Sequence, residues 1–535
     1  MSSALSSPHR IASSLRSYGA KAAWAGGFLV VPVLLLRGAV GVHRVPGLPL
    51  ESLFSTLFAG AQLERWLLGT ASIGQADLVH GGLPYWPAQP SHAGALSLLN
   101  LALDEPIAYA VVLAIALWLT GLGPALLARR LWGDGRLAAC TVAGLAVQLS
   151  PPVLRSVWDA ELVILAVGPV ALALAARTRW SCALWALLAG GMGWVAAVLC
   201  GLGAGILRKP WAGLAALPLV LAVVVPSAAL PGATRALPTP STASSYVTMD
   251  RAVLPTGILA STPQLPAEPN DSGWLGLPAR VHGGPVAVLG CLLALCWKRT
   301  RIWGSLGVVA LVLLHAGLGP LPLPGELATE PAGWWTSVKH GLPGASAAGG
   351  LLIPVVLAAG LGLGAVVRWR REASVLVLAL CLWTSPLLPI DAGVPVTNLP
   401  PLPAASALSS AGAGPVLILP AWSYGQRGAG FAEQLHLAAR LGRPAALGSG
   451  EWAAPAFMAH TAWLLDVPVH QDAATALWDH RHEAPLDVAR SAGFAGLLVD
   501  AWAYSPEQLS LLRAELHRWV GPPVAEGERW LAWAL

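Results

Sequence analysis

Residues 106–136 read PIAYAVVLAIALWLTGLGPALLARRLWGDGR, and the fold can be predicted from this stretch outward. Residues 106–127 carry no charged side chain and are long enough to cross a bilayer as a helix. Arg129, Arg130 and Arg136 follow directly. Because Lys and Arg collect at the cytoplasmic ends of membrane spans, the pattern predicts a transmembrane helix whose C-terminal end faces the cytoplasm.

Comparable apolar stretches recur along the chain. Hydrophobic residues make up 55% of it and charged residues 11%, with a mean hydropathy of +0.63, whereas a soluble domain has about 25% charged residues. The composition predicts an α-helical polytopic membrane protein with about eleven transmembrane helices. These are expected at 22–41, 106–127, 137–151, 160–176, 180–191, 193–207, 211–230, 285–297, 302–319, 345–367 and 373–389. The net charge of +5 does not indicate a nucleic-acid partner, because the basic residues cluster beside the apolar stretches.

The basic clusters predict the orientation of the chain. They are Arg10, Arg16 and Lys21; Arg129, Arg130 and Arg136; Arg177 and Arg179; Arg208 and Lys209; Lys298, Arg299 and Arg301; and Arg368, Arg370 and Arg371. With eleven crossings all of these clusters and the N-terminus lie in the cytoplasm, and the C-terminus lies outside.

The number of crossings depends on residues 180–207. Gly190, Gly191 and Gly193 interrupt the apolar pattern there. Two short helices forming a re-entrant or thin-membrane hairpin give eleven spans, and a single long tilted helix gives ten. We favour eleven, because with ten crossings a basic cluster and a long loop exchange sides of the membrane.

This orientation divides the chain into three parts. Residues 1–21 are predicted to form a cytoplasmic N-terminal tail. Residues 22–389 are predicted to form the transmembrane domain, with long outer loops at 42–105 and 231–284. Residues 390–535 are predicted to form an extracytoplasmic α/β domain.

Two of the outer regions have regular patterns of their own. In the first loop, residues 51–68 have apolar side chains at helical spacing, which predicts an amphipathic helix lying on the membrane surface. In the last region, short strands alternate with helices, as in a small α/β domain. The predicted strands are 415–419, 444–447, 495–499 and 530–534, and the predicted helices are 431–441, 452–465, 486–491 and 506–520.

Several segments resemble the GT-C superfamily of polytopic membrane glycosyltransferases. They are Asp77, His80, Gly81, Gly82, Pro84, Tyr85, Trp86 and Pro87 in the first loop, and GPVLILPAW (414–422), RPAALGSGEW (443–452) and AGFAGLLVDAW (492–502) in the last region. The resemblance covers most of the chain and is to poorly characterised bacterial members. It implies a polyprenyl-phosphate-linked sugar as donor, an extracytoplasmic acceptor, membrane lipids as partners, and a multi-pass location in the bacterial inner (plasma) membrane.

The resemblance also implies a site. In GT-C enzymes a first-loop acid works with a D-x-E pair of the second outer loop, which here makes Asp77, Asp159 and Glu161 the implied catalytic residues. Asp159 and Glu161 are the implied metal ligands, since hard carboxylate oxygens suit Mg²⁺ or Mn²⁺. The departing polyprenyl phosphate needs a cation to stabilise its charge. The implied substrate-binding residues are His80, Tyr85, Trp86, Arg155, Trp335, Lys339 and His340.

These residues can also be explained by purely structural roles, as an alternative to catalysis. Acids such as Asp159 and Glu161 are favoured at the start of a helix, and Asp77 in a Gly/Pro-rich loop suits a turn. Residues 337–346 read SVKHGLPGAS and hold no Arg where many GT-C relatives have an Arg-Pro-x-Arg segment. The chain therefore remains compatible with a non-catalytic membrane scaffold or assembly protein of the cell envelope, or with a transporter of a lipid-linked substrate.

A reporter that is active only in the periplasm should be active when it is fused after Leu535, because eleven crossings place the C-terminus outside. A reporter that is active only in the cytoplasm, fused at the same position, is the control and should stay inactive. The reverse result would show that the number of crossings is even.

Overall fold

The computed structural model describes residues 19–47, 51–78, 83–84, 87, 89–133, 136–158, 162–206, 211, 214–215, 284–318, 348–384, 394–399, 402, 408, 414–419, 430–446 and 483–535. This part of the chain consists of packed helices followed by a region that contains a five-stranded mixed sheet.

The helices before the sheet follow the apolar stretches of the sequence. They are α1 (Gly19–Leu36), α2 (Glu51–Leu67), α3 (Pro90–Asn100), α4 (Glu105–Trp132), α5 (Leu137–Gln148), α6 (Pro151–Trp158), α7 (Val167–Ala175, entered through a 3-10 turn at Leu162–Ala166), α8 (Arg179–Gly190), α9 (Trp194–Ile206), α10 (Gly284–Cys296), α11 (Arg301–Leu318), α12 (Leu352–Trp369) and α13 (Ala373–Thr384).

The chain is a multi-pass helical membrane protein. Among the described residues, α1, α4 and α12 are long and apolar enough to cross a membrane. Helices α5 and α6 form a fourth candidate if they are counted as one span bent by 50°. Several further apolar helices are shorter, and most of the predicted span 211–230 lies outside the described residues. The count of eleven spans therefore stays a prediction.

The break predicted within residues 180–207 is present. Helix α8 ends at Gly190 and α9 begins at Trp194, so two short helices replace one long helix. The backbone N–H of Gly191 closes the last turn of α8 on the carbonyl of Leu187. Whether the pair crosses the bilayer or turns back within it stays a prediction.

Helix α12 packs unusually close to its neighbours. A Cβ atom added to Gly360 would lie 2.6 Å from the carbonyl oxygen of Ala143 on α5, and one added to Gly362 would overlap the carbonyl oxygen of Gly290 on α10. Small residues allow helix backbones to approach in this way, and van der Waals contact then replaces the hydrophobic effect that lipid cannot supply. Helix α12 is accordingly buried over most of its length.

The first loop contains the predicted amphipathic helix, but its apolar side is covered by protein. Leu53, Phe54, Leu57 and Phe58 of α2 are each at most 1% exposed, and α2 contacts α3 and a helix of the C-terminal region. The prediction of the helix is confirmed. The prediction that its apolar face lies on the membrane surface is wrong for these four side chains, because the membrane helices cover Leu53, Phe54 and Leu57 and the sheet region covers Phe58.

The C-terminal region folds as strands with helices on both faces. Its elements are β5 (Val416–Leu419), α14 (Gly430–Leu441), β6 (Ala445–Ala446), α15 (Glu483–Ser491), β7 (Gly496–Asp500), α16 (Pro506–Trp519), β8 (Ala525–Glu526) and β9 (Trp530–Ala534). The sheet has the order β6–β5–β7–β9–β8, with β5 parallel to β6 and β7, and β9 antiparallel to β7 and β8. These elements match the predicted strands and three of the predicted helices, while 452–465 lies outside the described residues.

The two faces of this sheet have different cores. On one face, Leu417, Leu497 and Trp533 pack with residues of α15 and α16 from the same region. On the other face, the apolar cluster combines side chains of the sheet and α14 with Phe58 and Leu78 of the first loop. The α/β region therefore completes its core with the first loop.

Backbone hydrogen bonds attach the first loop to the same region. Strand β1 (Arg44–Pro46) pairs with β4 (Val396–Asn398) in an antiparallel ribbon. The β2 (Gln75–Ala76) and β3 (Leu83–Pro84) strands form a second ribbon, and the N–H of Ala445 donates to the carbonyl of nearby Leu78 at 2.9 Å. These bonds hold the loop against the edge of the sheet.

Gly362→Ala should destabilise the protein by about 1–3 kcal/mol, because the added methyl group forces α12 away from α10. Gly201→Ala is the matched control: Gly201 is an exposed glycine of α9 whose added Cβ would meet nothing within 4 Å. That variant should be neutral or slightly stabilising, since Ala is the better helix former. Thermal unfolding of the full chain in detergent measures both, and an unchanged melting temperature for Gly362→Ala would contradict the close packing.

Candidate functional site

Asp77 lies in the first loop directly after β2 and is held by two side chains of α2. Arg65 donates through Nε to Asp77 Oδ2 at 3.1 Å and pairs with the same oxygen through Nη2, and Gln62 Nε2 donates to Oδ1 at 3.0 Å. Gln62 and Arg65 are three residues apart, so they share one face of the helix. The Asp77 side chain keeps 30% of its surface exposed, which leaves it accessible to a ligand.

The surroundings keep the Asp77 carboxyl ionised. Partial burial alone raises its pKa, but the hydrogen bonds from Arg65 and Gln62 and the charge of Arg65 outweigh burial, so the pKa lies below the ordinary value of 3.8. A carboxylate whose pKa lies below its ordinary value is a weak general base at neutral pH. Its fixed negative charge remains available for electrostatic stabilisation.

A second set of charged residues joins the start of α4 to the C-terminal region. Glu105 occupies the first residue of α4, where the helix dipole favours an acid. Its Oε2 lies 2.8 Å from Nε2 of His436 on α14, although the two residues are 331 positions apart in sequence. The ring of Phe54 lies 5.8 Å from the ring of His436, centroid to centroid, and the His436 side chain is only 2% exposed. This pair therefore links the membrane helices to the sheet region inside the protein.

Arg529 is the centre of the neighbouring network. Its Nε and Nη2 donate to the two oxygens of Asp500 at 3.0 and 2.6 Å, and its Nη1 lies 2.8 Å from Glu433 Oε1. The side chains of Arg529 and Asp500 are 13% and 9% exposed. Burial alone lowers the pKa of Arg529, but its bonds and the charges of Asp500 and Glu433 outweigh burial and raise the pKa above its ordinary value.

These residues line a small cleft, which we call the junction cleft. It is lined by Phe54, Leu399, Glu433, His436, Leu437, Arg440, Arg529 and Trp530. Burial lowers the pKa of Arg440, while the charges of Glu105 and Glu433 act in the opposite direction. Charged groups of both signs thus surround a small, partly buried space.

The position of the cleft follows from the sheet. Asp500 is the last residue of β7, and Glu433 lies in the first turn of the helix that follows β5. Both therefore lie at the carboxyl edge of parallel strands, where open α/β sheets bind their ligands. The hydrogen bond between His436 and Glu105 joins this part of the sheet region to the start of α4.

Most of the site residues implied by the sequence lie outside the described residues. These are Asp159, Glu161, His80, Tyr85, Trp86, Trp335, Lys339 and His340. Arg155 lies on α6, but its side chain is not among those described. Whether Asp159 and Glu161 approach Asp77 stays a prediction. The described part of the chain contains no group of three or more His, Cys, Asp or Glu side chains that could hold a metal, so the Mg²⁺ or Mn²⁺ site also stays a prediction.

Sequence reasoning did not single out the junction residues. Glu105 immediately precedes the predicted span 106–127, Asp500 directly follows the predicted strand 495–499, and Arg529 directly precedes the predicted strand 530–534. The one available signal was position, because polar residues at the carboxyl ends of parallel strands are placed where α/β proteins bind ligands. Recognising it required the strand order, which the sequence alone did not provide.

Comparison with solved structures gives the fold. The chain superimposes on the arabinofuranosyltransferase AftD from Mycobacteria with a TM-score of 0.52 and 15% sequence identity, covering 96% of this chain and 39% of AftD. A mutant form of AftD gives a TM-score of 0.52 and 17% identity, with 96% and 41% covered. The oligosaccharyltransferase of Archaeoglobus fulgidus is 12% identical in sequence, and the match covers 89% of this chain and 69% of the oligosaccharyltransferase chain. Its TM-score of 0.42 is too low to support a fold assignment.

Sequence comparisons add nothing to this result, since no protein-family model and no curated protein matches the chain. The structural similarity nevertheless shows the fold: this multi-pass helical membrane protein shares the fold of AftD, itself a GT-C superfamily member, as the predicted resemblance implied. The chain spans about two fifths of the length of the AftD chains it matches, at 39% and 41%.

Arg529→Met should lower the free energy of unfolding by about 3–5 kcal/mol, because it leaves the carboxylates of Asp500 and Glu433 without their buried partner. Arg513→Met is the matched control in the same region. Arg513 pairs with Glu526 at 3.2 Å, but their side chains are 43% and 54% exposed, so its loss should cost at most about 1 kcal/mol. Denaturant unfolding of the full chain in detergent measures both, and equal losses would contradict a central role for Arg529.

Proposed function

We propose that this protein is a membrane glycosyltransferase-like enzyme that transfers a sugar from a polyprenyl-phosphate donor to an extracytoplasmic acceptor. The observation that carries the proposal is the similarity to AftD, which extends over 96% of this chain. Membrane lipids and a polyprenyl-phosphate-linked sugar are the proposed partners. The proposed location is the bacterial inner membrane, with the N-terminus cytoplasmic and the α/β region outside.

The arrangement of the described residues supports this proposal. Phe54 of the first loop, Glu105 at the start of α4 and His436 of the sheet region meet at the junction cleft. A lipid-linked donor would keep its chain in the bilayer and its phosphate at the membrane surface, and its sugar would then lie where these three elements converge. Asp77 belongs to the same first loop and is held there by Arg65 of α2.

The proposed reaction requires an acceptor hydroxyl to attack the anomeric carbon. A new C–O bond forms there, the bond from that carbon to the phosphate oxygen breaks, and the polyprenyl phosphate leaves with the bonding electrons. The hydroxyl proton passes to a base. Because Asp77 is a weak base, we assign it electrostatic stabilisation of the positive charge that develops on the sugar ring. The base is then Asp159 or Glu161.

A divalent cation fits the residue types proposed for the second outer loop. Asp159 and Glu161 offer hard carboxylate oxygens that would hold Mg²⁺ or Mn²⁺, and such an ion would neutralise charge on the departing phosphate. Arg155, Lys339 and His340 are proposed to contact the same phosphate. His80, Tyr85, Trp86 and Trp335 are proposed to contact the sugars.

A non-catalytic scaffold is the second candidate, and one observation favours it. Asp77, Glu105 and Asp500 are each engaged in ion pairs that connect different elements of the fold. In a scaffold these pairs would serve only to hold the α/β region on the membrane helices. A transfer assay separates the two candidates.

Asp77→Asn should abolish sugar transfer without unfolding the protein, since it keeps the size of the side chain and removes its charge. Asp159→Asn and Glu161→Gln should reduce transfer by about 10²–10⁴-fold if either residue is the base. The assay uses the full chain in nanodiscs with a synthetic polyprenyl-phosphate sugar and a soluble oligosaccharide acceptor.

Asp487→Asn is the control for this assay. Asp487 forms an ion pair with Arg490 on α15, and its side chain is 59% exposed, so the variant should keep wild-type activity. Full activity in both Asp77→Asn and Asp159→Asn would refute the proposed site. Absence of transfer by the wild-type protein with every donor and acceptor tested would move the scaffold to first place.

A further inference from the structure

An exposed tryptophan lies beside the junction cleft. Trp502 follows β7 directly, in the 3-10 turn Ala501–Ala503, and its side chain is 57% exposed. Among the described residues from 414 to 535, the other large apolar side chains with such exposure are Leu511 and Val524. Trp502 is therefore an isolated aromatic surface at the carboxyl edge of the sheet, where α/β proteins bind ligands.

The surrounding charges hold Trp502 in place. Its backbone N–H donates to Asp500 Oδ1 at 3.1 Å, which fixes the turn that carries the side chain. The guanidinium carbon of Arg529 lies 5.3 Å from the centroid of the Trp502 ring, within the range of a cation–π interaction. Arg529 is itself fixed by Asp500 and Glu433. The indole is thus preorganised, which reduces the entropy lost when a ligand binds.

A buried donor without an acceptor lies next to it. The side chain of Trp530 is 4% exposed and lines the junction cleft, and its indole N–H meets no hydrogen-bond acceptor among the described residues. A buried donor without an acceptor is energetically unfavourable. Glu433 lines the same cleft and keeps 24% of its side chain exposed. One donor and one acceptor are therefore available beside the aromatic surface.

We propose that Trp502, Trp530 and Glu433 form a saccharide-binding subsite on the carboxyl edge of the sheet. A sugar ring presents a face of C–H groups that stacks on an indole, and hydroxyl groups at its edge that both donate and accept hydrogen bonds. Trp502 supplies the stacking surface, the Trp530 N–H the donor and Glu433 the acceptor. The subsite rests on the proposed function and would take the acceptor glycan.

A membrane anchor is the other use of an exposed tryptophan, since indoles collect at bilayer interfaces. The surroundings of Trp502 favour a saccharide. The charged groups beside it are already paired with one another, and its neighbours in the turn are two alanines and the buried Tyr504. An anchoring surface would present several apolar side chains together.

The test is saturation-transfer NMR on the full chain in nanodiscs, with linear arabinofuranose and glucopyranose oligosaccharides as probes. The wild-type protein should bind at least one probe. Trp502→Ala should weaken that binding about tenfold, and Trp502→Phe should restore most of it, because a smaller aromatic ring still stacks. Trp369→Ala is the matched control: Trp369 is 71% exposed and carries Arg370 at 5.1 Å from its ring centroid, but it ends α12. That variant should bind like the wild type.

Three results would overturn the subsite: no binding of any probe to the wild type, equal binding by Trp502→Ala, or equal weakening by Trp369→Ala. Lipids with brominated acyl chains quench the fluorescence of tryptophans that lie in the bilayer. If this quenching decreases in Trp502→Phe, Trp502 is a membrane anchor instead. These readouts need no turnover. If Trp502→Ala transfers sugar as fast as the wild type, the proposed function is supported and the subsite is refuted. If the wild type binds a probe through Trp502 but transfers no sugar, the subsite is supported and the proposed function is refuted.

Discussion

Helix α2 is the element on which both halves of the structure depend, because two apolar cores meet along it. Leu53, Phe54 and Leu57 belong to the core of the membrane helices, and Phe58 and Trp66 belong to the core beneath the sheet. Burying each large apolar side chain contributes about 1.5–3 kcal/mol. The helix therefore holds the α/β region in a defined position on the membrane helices, and it also carries Gln62 and Arg65, which position Asp77.

Charge pairing is the second constraint on this junction. Asp500 and Arg529 are largely withdrawn from water, and ionised groups in such a place must be paired. Glu105 and His436 are joined by a hydrogen bond in the same region. The pairs connect the start of α4, helix α14 and two strands. The groups that give the cleft its charge are consequently the same groups that fix its shape, and changes at these positions affect the stability of the protein and the shape of the cleft together.

The helices below the junction use a different physical device. Lipid is as apolar as leucine, so helix association there depends on close contact rather than on the hydrophobic effect. Gly360 and Gly362 let α12 approach α5 and α10 backbone to backbone. Gln148 adds polar contacts in the same region, with Nε2 donating to the carbonyl oxygens of Phe28 and Leu117 at 2.9 Å each. This rigid packing provides the support from which α4 presents Glu105.

The sequence by itself determined the class of protein and the course of most elements. The length of the apolar stretches predicted the membrane helices, and the glycines predicted the break after α8. The alternation of short strands with helices predicted the strand Trp530–Ala534 with its observed bounds. These features are local, since periodicity and chain breaks act over a few residues. Only the tertiary structure decided that α2 lies against the sheet, that Glu105 meets His436, and that Arg529 joins Asp500 to Glu433. Such contacts depend on the order of strands and on how helices pack, and no local pattern records which distant residue will supply the opposite charge or the second half of a core.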